Sequence, residues 1–179
     1  MNEWFETLDG LLAAAWDTLA QKPSPEVTLA SLSPGGWPEA RTVILRGADR
    51  SAGICQVHTD LGSTKIAGLR GDDRATLVYW DEPSALQIRL RCHARILTWP
   101  ATRAAWDKVP DRSQPAYGKQ PSPGTPIGDA LAYKLTPTPK AFAILRLTVH
   151  DIDLLHLGDA HRRAAYSRTS DWQGRWLSP

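Results

Sequence analysis

Residues 41–65 carry cations and hydroxyls in an order that suits an anion. The segment reads Arg41-Thr42-Val43-Ile44-Leu45-Arg46, then a turn, then His58-Thr59-Asp60-Leu61-Gly62-Ser63-Thr64-Lys65. An apolar strand carries a cation at each end. A second short strand runs into a hydroxyl-rich loop, and a helix opens beside Lys65. Backbone N–H groups at a helix start, hydroxyl donors and fixed positive charges together make a nest for a phosphate. Arg41, Arg46, Ser63, Thr64 and Lys65 are the candidate ligands. On charge alone the same residues also read as a solvated set of surface cations.

Other chemistries find little support. The five His residues are scattered, with no HxH or HExxH pattern, so no metal site is expected. No GxSxG, no P-loop and no GxGxxG after a strand is present, which removes the usual hydrolase, NTPase and Rossmann readings. No carboxylate pair stands out among the 19 acids. Gln87 is a two-way hydrogen-bonding amide at the head of a strand, suited to a ring edge or a hydroxyl. Most strand Gln residues simply face water.

The elements around these residues follow from periodicity. Trp4, Leu8, Leu11, Leu12, Ala15, Trp16 and Leu19 fall at spacings of three and four and predict an amphipathic helix over 3–21. Asn2 can cap it, Glu3 and Glu6 suit its positive end, and Pro23 and Pro25 end it. Its polar face has few basic residues, so it packs on the body of the domain rather than on a membrane. Strands are expected at 27–33, 41–46, 54–59, 75–80 and 87–96, with a short helix over 63–69. In the clearest strand Ile88, Leu90, Cys92, Ala94 and Ile96 alternate with Gln87, Arg89, Arg91, His93 and Arg95, giving one core face and one polar face. Pro100 opens a helix through Ala101 to Lys108. Residues 110–126 form a long Pro-, Gly-, Ser- and Gln-rich loop, a kind that is more often functional than idle. A strand returns over 142–155, with a bulge or bend where the apolar phase shifts near His150-Asp151. Short strands at 164–168 and 175–177 close the chain. Many strands with short turns and few helices argue for a closed or partly closed antiparallel barrel.

Composition sets the outer limits. A chain of 179 residues suits one domain with a real core, here spanning 1–179. With 21 basic and 19 acidic side chains, the charge balance favours neither nucleic acid nor an anionic membrane as main partner. No apolar run is long enough to span a bilayer, and the N-terminus lacks the pattern of a signal peptide. Cys55 and Cys92 have no CxxC spacing and read as buried reduced thiols of a cytoplasmic protein. Eight Trp residues are expected mostly in core or interface positions.

The ordered motifs resemble those of the FMN-binding split barrels of the pyridoxamine 5′-phosphate oxidase family. The matching stretches are Arg41 to Arg46, His58-Thr59 with Leu61 to Lys65, and Asp73-Arg74-Ala75-Thr76-Leu77-Val78-Tyr79-Trp80. They continue in Leu86-Gln87-Ile88-Arg89, Arg112-Ser113-Gln114, Lys119-Gln120-Pro121-Ser122, His161-Arg162-Arg163 and Trp176-Leu177-Ser178-Pro179. Together they cover about residues 38–128 and 159–179. The resemblance implies a mainly β fold with flanking helices, an antiparallel FMN-binding split barrel. It implies FMN as cofactor and a homodimer with the flavin between subunits. Arg41, Ser63, Thr64 and Lys65 would hold the FMN phosphate, the backbone of Val43, Ile44 and Leu45 would lie along the ring, and Thr42 and Arg46 would also belong to the cofactor site. His58 and Thr59 stand where the family has an aromatic and a Thr near the flavin. Gln87 and Arg163 would contact the flavin, and Gln120 with Ser122 would reach over from the second subunit. Arg46 and His161 would meet a small-molecule substrate. Three departures bear on activity. Arg46 replaces a Lys of the family's true oxidases, and Asp159-Ala160-His161 replaces their Arg-Leu-His triplet. A flavin-covering Trp has no counterpart near Leu155. The resemblance thus implies an FMN-dependent oxidoreductase of unidentified substrate. The alternatives are a true pyridoxamine 5′-phosphate oxidase and a flavin-binding protein without turnover.

Overall fold

The computed structural model describes residues 3–21 and 23–179. Ten strands run in the order β1 (Glu26–Leu32), β2 (Pro38–Asp49), β3 (Ile54–Asp60), β4 (Arg74–Asp81), β5 (Leu86–Leu97), β6 (Lys119–Gln120), β7 (Lys134–Leu135), β8 (Phe142–His156), β9 (Arg162–Ser167) and β10 (Gly174–Leu177). Three α-helices join them: α1 (Leu8–Leu19), α2 (Thr64–Gly71) and α3 (Arg103–Trp106). The main sheet has the order β10-β9-β8-β3-β2-β1-β4-β5, and β5 returns to pair with β8. Six strands therefore close into an antiparallel barrel, with β9 and β10 as an extension.

Strand β8 makes this geometry possible. β5 runs along one of its edges from Ile144 to His156. The other edge is shared in succession: Phe142–Thr148 pairs with β3, and Asp151–His156 pairs with β9. Between them Arg91 pairs with Asp151 and Cys92 with Val149, so His150 is an extra residue, the bulge expected there. Arg168 pins the gap. Its guanidinium donates to the carbonyls of Val149 (2.7 Å), Ala52 and Gly53 (both 2.9 Å). Gly53 has φ +61° and the Arg168 guanidinium packed where a Cβ would sit, so only glycine fits.

The barrel interior is aliphatic. Leu29, Leu77, Leu90, Leu145, Leu147 and Ile152 are fully buried, and Cys55 and Cys92 lie among them as free thiols. Burial pushes the Cys55 thiol up to about 12 and raises that of Cys92 as well. α1 caps the barrel with Leu11, Leu12, Ala15, Trp16 and Leu19. The Tyr166 hydroxyl donates to the Leu8 carbonyl (2.8 Å). The helix is shorter than the predicted 3–21. Trp4–Glu6 is a 3₁₀ turn, and Thr7 is extended and caps α1 by accepting from the Gly10 N–H (3.1 Å). Asn2, expected as the cap, lies outside the described residues.

One further expectation is corrected. The helix expected over 101–108 is a single turn, and Pro100 precedes it. Within the long loop, β6 pairs with β7 as a small hairpin-like ladder. Of the Trp residues, Trp16 is buried, whereas Trp37, Trp80, Trp99 and Trp176 are exposed on the single chain. Among the described residues no helix is long and apolar enough to cross a membrane.

Candidate functional site

The end of β3 and the start of α2 bring three donors to one point. Thr59 faces inward as the last residue of the alternating run Cys55-Val57-Thr59. The Asp60 carboxylate then fixes the turn by accepting from the N–H groups of Gly62 (2.7 Å) and Gly118 (2.6 Å). Ser63 is the residue before the first turn of α2, and its side chain makes no capping bond. Lys65 is thereby folded back, and its Nζ donates to Thr59 Oγ1 (3.0 Å) and Ser63 Oγ (3.1 Å). The two hydroxyls are buried and lie 3.3 Å apart. Gly68 lets α2 sit directly on the Leu32 carbonyl of β1, which seats the helix start at the barrel rim.

This ammonium has no carboxylate partner among the described residues. Burial and then the nearby Arg41 cation lower the Lys65 pKa, while Asp60 pulls it back up. A partly buried ammonium held by two neutral hydroxyls, beside the first N–H groups of a helix, is a site short of an anion.

The adjoining cavity measures about 370 Å³, within the usual range for small-molecule sites of roughly 300–1,000 Å³. One wall is β2, with Thr42, Val43, Ile44 and Arg46. Arg46 has a special position. Leu45 pairs with Val57 and Gly47 with Gln56, so Arg46 is the extra residue of a β-bulge. Bulges re-aim side chains. The opposite wall comes from the long loop, with Ala116, Tyr117 and Pro123. A second small core holds that loop down: Val109, Tyr117, Phe142 and Ile144, backed by Leu97 and Trp106. His58 stands edge-on to Phe142 at 4.8 Å. Burial first, and the Arg46 cation second, hold its imidazole down to about 4. It is a neutral ring at pH 7.

The sequence-derived candidates sort into three groups. Thr42, Val43, Ile44, Arg46, His58, Thr59, Ser63 and Lys65 line this cavity. Leu45 is buried beneath it, and Thr64 is exposed as the first residue of α2. Arg41 does not reach the cavity wall. Its guanidinium donates to the Leu29 carbonyl (3.2 Å), Ser31 Oγ (2.7 Å) and Glu39 (2.8 Å). Glu39 and Arg41 fall on the same face of β2, and Ser31 pairs with Glu39 across β1, so local partners reach the guanidinium first.

Gln120 and Ser122 sit against their own chain, with Ser122 packed on Gly62 and both residues lining a neighbouring cavity that contains Asp60 and Gly62. The Asp60–Gly118 bond ties the start of this segment to the end of β3.

The third group is remote. Gln87 pairs with Leu155, and Leu155 pairs with Arg163, so all three form one row across β5, β8 and β9. His58 pairs with Ile144, eleven residues earlier on β8, or roughly 35 Å of strand. The Arg163 guanidinium shares Asp153 with Arg89, each at 2.9 Å, and Arg91 pairs with Asp151 at 3.2 Å. His161 and Asp159 are exposed in the β8–β9 turn.

Asp60 and Tyr117 escape sequence reasoning as site residues. Asp60 stands inside the quoted motif, but its role depends on a glycine 58 residues later. Tyr117 carries no signal beyond being an aromatic in a polar loop.

Comparison with known proteins agrees with this geometry. The model of the pyridoxamine 5′-phosphate oxidase FMN-binding domain matches residues 1–98. No curated protein matches the sequence. Among solved structures, a pyridoxamine 5′-phosphate oxidase-related, FMN-binding protein from Nostoc punctiforme superposes with a TM-score of 0.76 at 22% identity, covering 100% of this chain and 99% of that one. PhzG from Burkholderia lata, solved with tetrahydrophenazine-1-carboxylic acid, gives 0.73 at 20% identity over 96% and 90%. A heme-binding protein from Mycobacterium smegmatis gives 0.51 at 17% identity over 84% of this chain and 57% of that one. At these identities the structural likeness speaks for the fold. The family model covers more than half of the chain, and with it the β2, β3 and α2 elements that build the anion nest: the chain belongs to the pyridoxamine 5′-phosphate oxidase-like FMN-binding family.

Proposed function

We propose that the protein binds FMN and works as an FMN-dependent oxidoreductase on a small molecule. The observation that carries this reading is the convergence of Lys65, Thr59 and Ser63 at the start of α2, an anion nest whose ammonium makes no ion pair among the described residues. The residues fit the group. Lys65, Ser63, Thr59 and the first N–H groups of α2 would hold the phosphate, with Thr64 beside them. The backbone of Val43 to Leu45 would lie along the ring system. Arg41 acts at one remove, by its field on Lys65. FMN supplies the hydride and electron chemistry that no side chain of this protein has. The chain's own part is to bind, orient and exclude water. Tyr117 and Pro123 close the cavity from the loop side, and Arg46 and His58 address whatever lies beside the ring.

We infer a homodimer with a composite site. Gln87 and Arg163 are too distant to serve the Lys65 nest of their own protomer, so they would approach a flavin held by a second copy. Gln120 and Ser122 would act in cis. Two free buried thiols support a reducing, cytoplasmic setting.

Asp159 argues against pyridoxamine 5′-phosphate as substrate. It puts a carboxylate where the family's oxidases carry an Arg, and a phosphorylated amine would be repelled. A flavin carrier without turnover is the remaining alternative, and steady-state turnover separates the two.

The test is direct. Purified protein is denatured and any released flavin identified, and apoprotein is titrated with FMN. Tight quenching of flavin fluorescence is expected, with FAD binding poorly. No quenching by FMN would overturn the proposal.

A further inference from the structure

We propose that His93 and His150 form a two-imidazole site for one divalent transition metal of the Zn²⁺ class, with its other positions open to solvent oxygen. The pair lies on β5 and β8, and its cavity shares no lining residue with the Lys65 cavity. The proposal goes beyond the FMN reading and does not rest on it.

Two features of the fold bring the rings together. Asp151 pairs with Arg91 and Val149 with Cys92, so His150 is the extra residue of the β8 bulge. A bulge sets two residues of one strand against one of its partner and re-aims a side chain. His150 and Asp151 are accordingly both half-buried, where plain alternation would bury one of them. Arg91 takes Asp151 at 3.2 Å, and the His150 ring turns to His93 of β5. On the other side of His93 stands Asp73, the residue before β4. Its carbonyl accepts from the Ala94 N–H (2.8 Å), and its carboxylate meets His93 Nδ1 at 2.9 Å.

The two ring centroids are 5.0 Å apart, with their planes at 71°. With metal–nitrogen bonds of about 2.0–2.1 Å, each centroid stands about 3.2 Å from the ion, and a near-tetrahedral angle separates the centroids by about 5 Å. The observed spacing therefore suits one ion held by both rings. Asp73 accepts from Nδ1–H and leaves Nε2 of His93 with the free lone pair, the arrangement that orients metal-ligating imidazoles. No hydrogen bond engages His150 among the described residues. Both rings line one cavity of about 510 Å³. No third His, Cys, Asp or Glu joins them in one ligand set among the described residues, so solvent oxygens complete the shell. Imidazole with oxygen suits Zn²⁺, Ni²⁺ and Cu²⁺ rather than Mg²⁺.

The local charge admits a dication. The cations around the cavity are matched: Arg74 by Asp72 (2.9 Å), Arg91 by Asp151, and Arg41, which reaches Ser31, by Glu39 (2.8 Å). Asp73 is left as negative charge beside His93. The HxH and HExxH patterns miss this pair because strand pairing, not local spacing, makes it.

Tag-free, chelator-treated protein is titrated with Zn²⁺ by calorimetry at pH 7.5. One ion per chain is expected, with no binding of Mg²⁺. His93→Gln and His150→Gln should each weaken Zn²⁺ binding at least tenfold, and Asp73→Asn by about 10- to 100-fold. Zn²⁺ should also raise the Tm of the wild type, because the ion binds only the folded pair, and this rise should vanish in both His variants. Cu²⁺ on the wild type needs no variant: its electron paramagnetic resonance spectrum should show two imidazole nitrogens on one ion. No Zn²⁺ binding, wild-type affinity in either His variant, or a Cu²⁺ spectrum with fewer than two nitrogens each overturns the site. Loss of FMN binding in a separate titration would sink the cofactor reading and leave the metal pair standing.

Discussion

Lys65→Met separates a cofactor ligand from a surface cation. The wild-type ammonium is partly buried and held at 3.0 and 3.1 Å by two neutral hydroxyls. Its pKa is lowered by burial and by Arg41, so the charged form is disfavoured in the protein without ligand. Two opposite effects follow. Removing the ammonium deletes one charge-assisted bond to the phosphate, worth about 1.5–3 kcal/mol. At 1.4 kcal/mol per decade the FMN Kd should loosen by about 10- to 150-fold. The same change removes a desolvated charge, so apoprotein stability should hold or rise. Linkage fixes the sign of the pH effect. The folded-state value lies below the unfolded value, so the unfolded chain binds more protons in that window. Apoprotein stability should therefore climb with pH from the lowered value to the ordinary lysine value of 10.5, and Lys65→Met should flatten that climb. Fluorescence titration with FMN and thermal unfolding of the apoprotein, over a pH series, give both numbers. Wild-type FMN affinity in Lys65→Met would refute the nest. A fall in affinity accompanied by a large fall in apoprotein Tm would refute the claim that Lys65 is kept for the ligand.

Four other outcomes are expected. Arg41→Ala should loosen FMN less than Lys65→Met, because Arg41 is bonded to Leu29, Ser31 and Glu39; an equal loss in titration would put its guanidinium on the phosphate after all. Asp60→Asn loses a charged acceptor for two N–H groups, worth about 1.5–3 kcal/mol, and should expose residues 118–137 to limited proteolysis; unchanged cleavage would deny its role as the loop's anchor. Light scattering should give about twice 19.7 kDa, and co-expressed Lys65→Met and Arg163→Met chains should recover one working FMN site per mixed dimer; no recovery would rule out the composite site. Pyridoxamine 5′-phosphate should be oxidised at under a tenth of the rate of a true oxidase, since Asp159 repels its phosphate, and a rate within tenfold of that control would reverse the reading.

Local pattern alone carried much of this protein. Strict alternation in Ile88-Leu90-Cys92 and the 3–4 spacing of Leu11, Leu12, Ala15, Trp16 and Leu19 marked the core faces. They do so because a pleat and a helix turn repeat at fixed short periods. The phase shift at His150 even marked the bulge. Ser63, Thr64 and Lys65 were legible as an anion nest because a helix start and its neighbouring donors are contiguous in sequence. Tertiary structure decided everything that depends on distant partners. Barrel closure needs β5 on β8, a pairing that no local period encodes. Arg41 read like Lys65 until its strand neighbours claimed it, and only the fold shows Gln120 and Ser122 beside Gly62 and Asp60 of their own chain. Arg46 became a cavity residue through a bulge that its sequence does not announce. Gln87 and Arg163 were shown to share a row of the sheet, far from the nest they were grouped with. Sequence names the groups able to do chemistry; strand register and loop docking, set by contacts across the whole chain, settle which of them can meet.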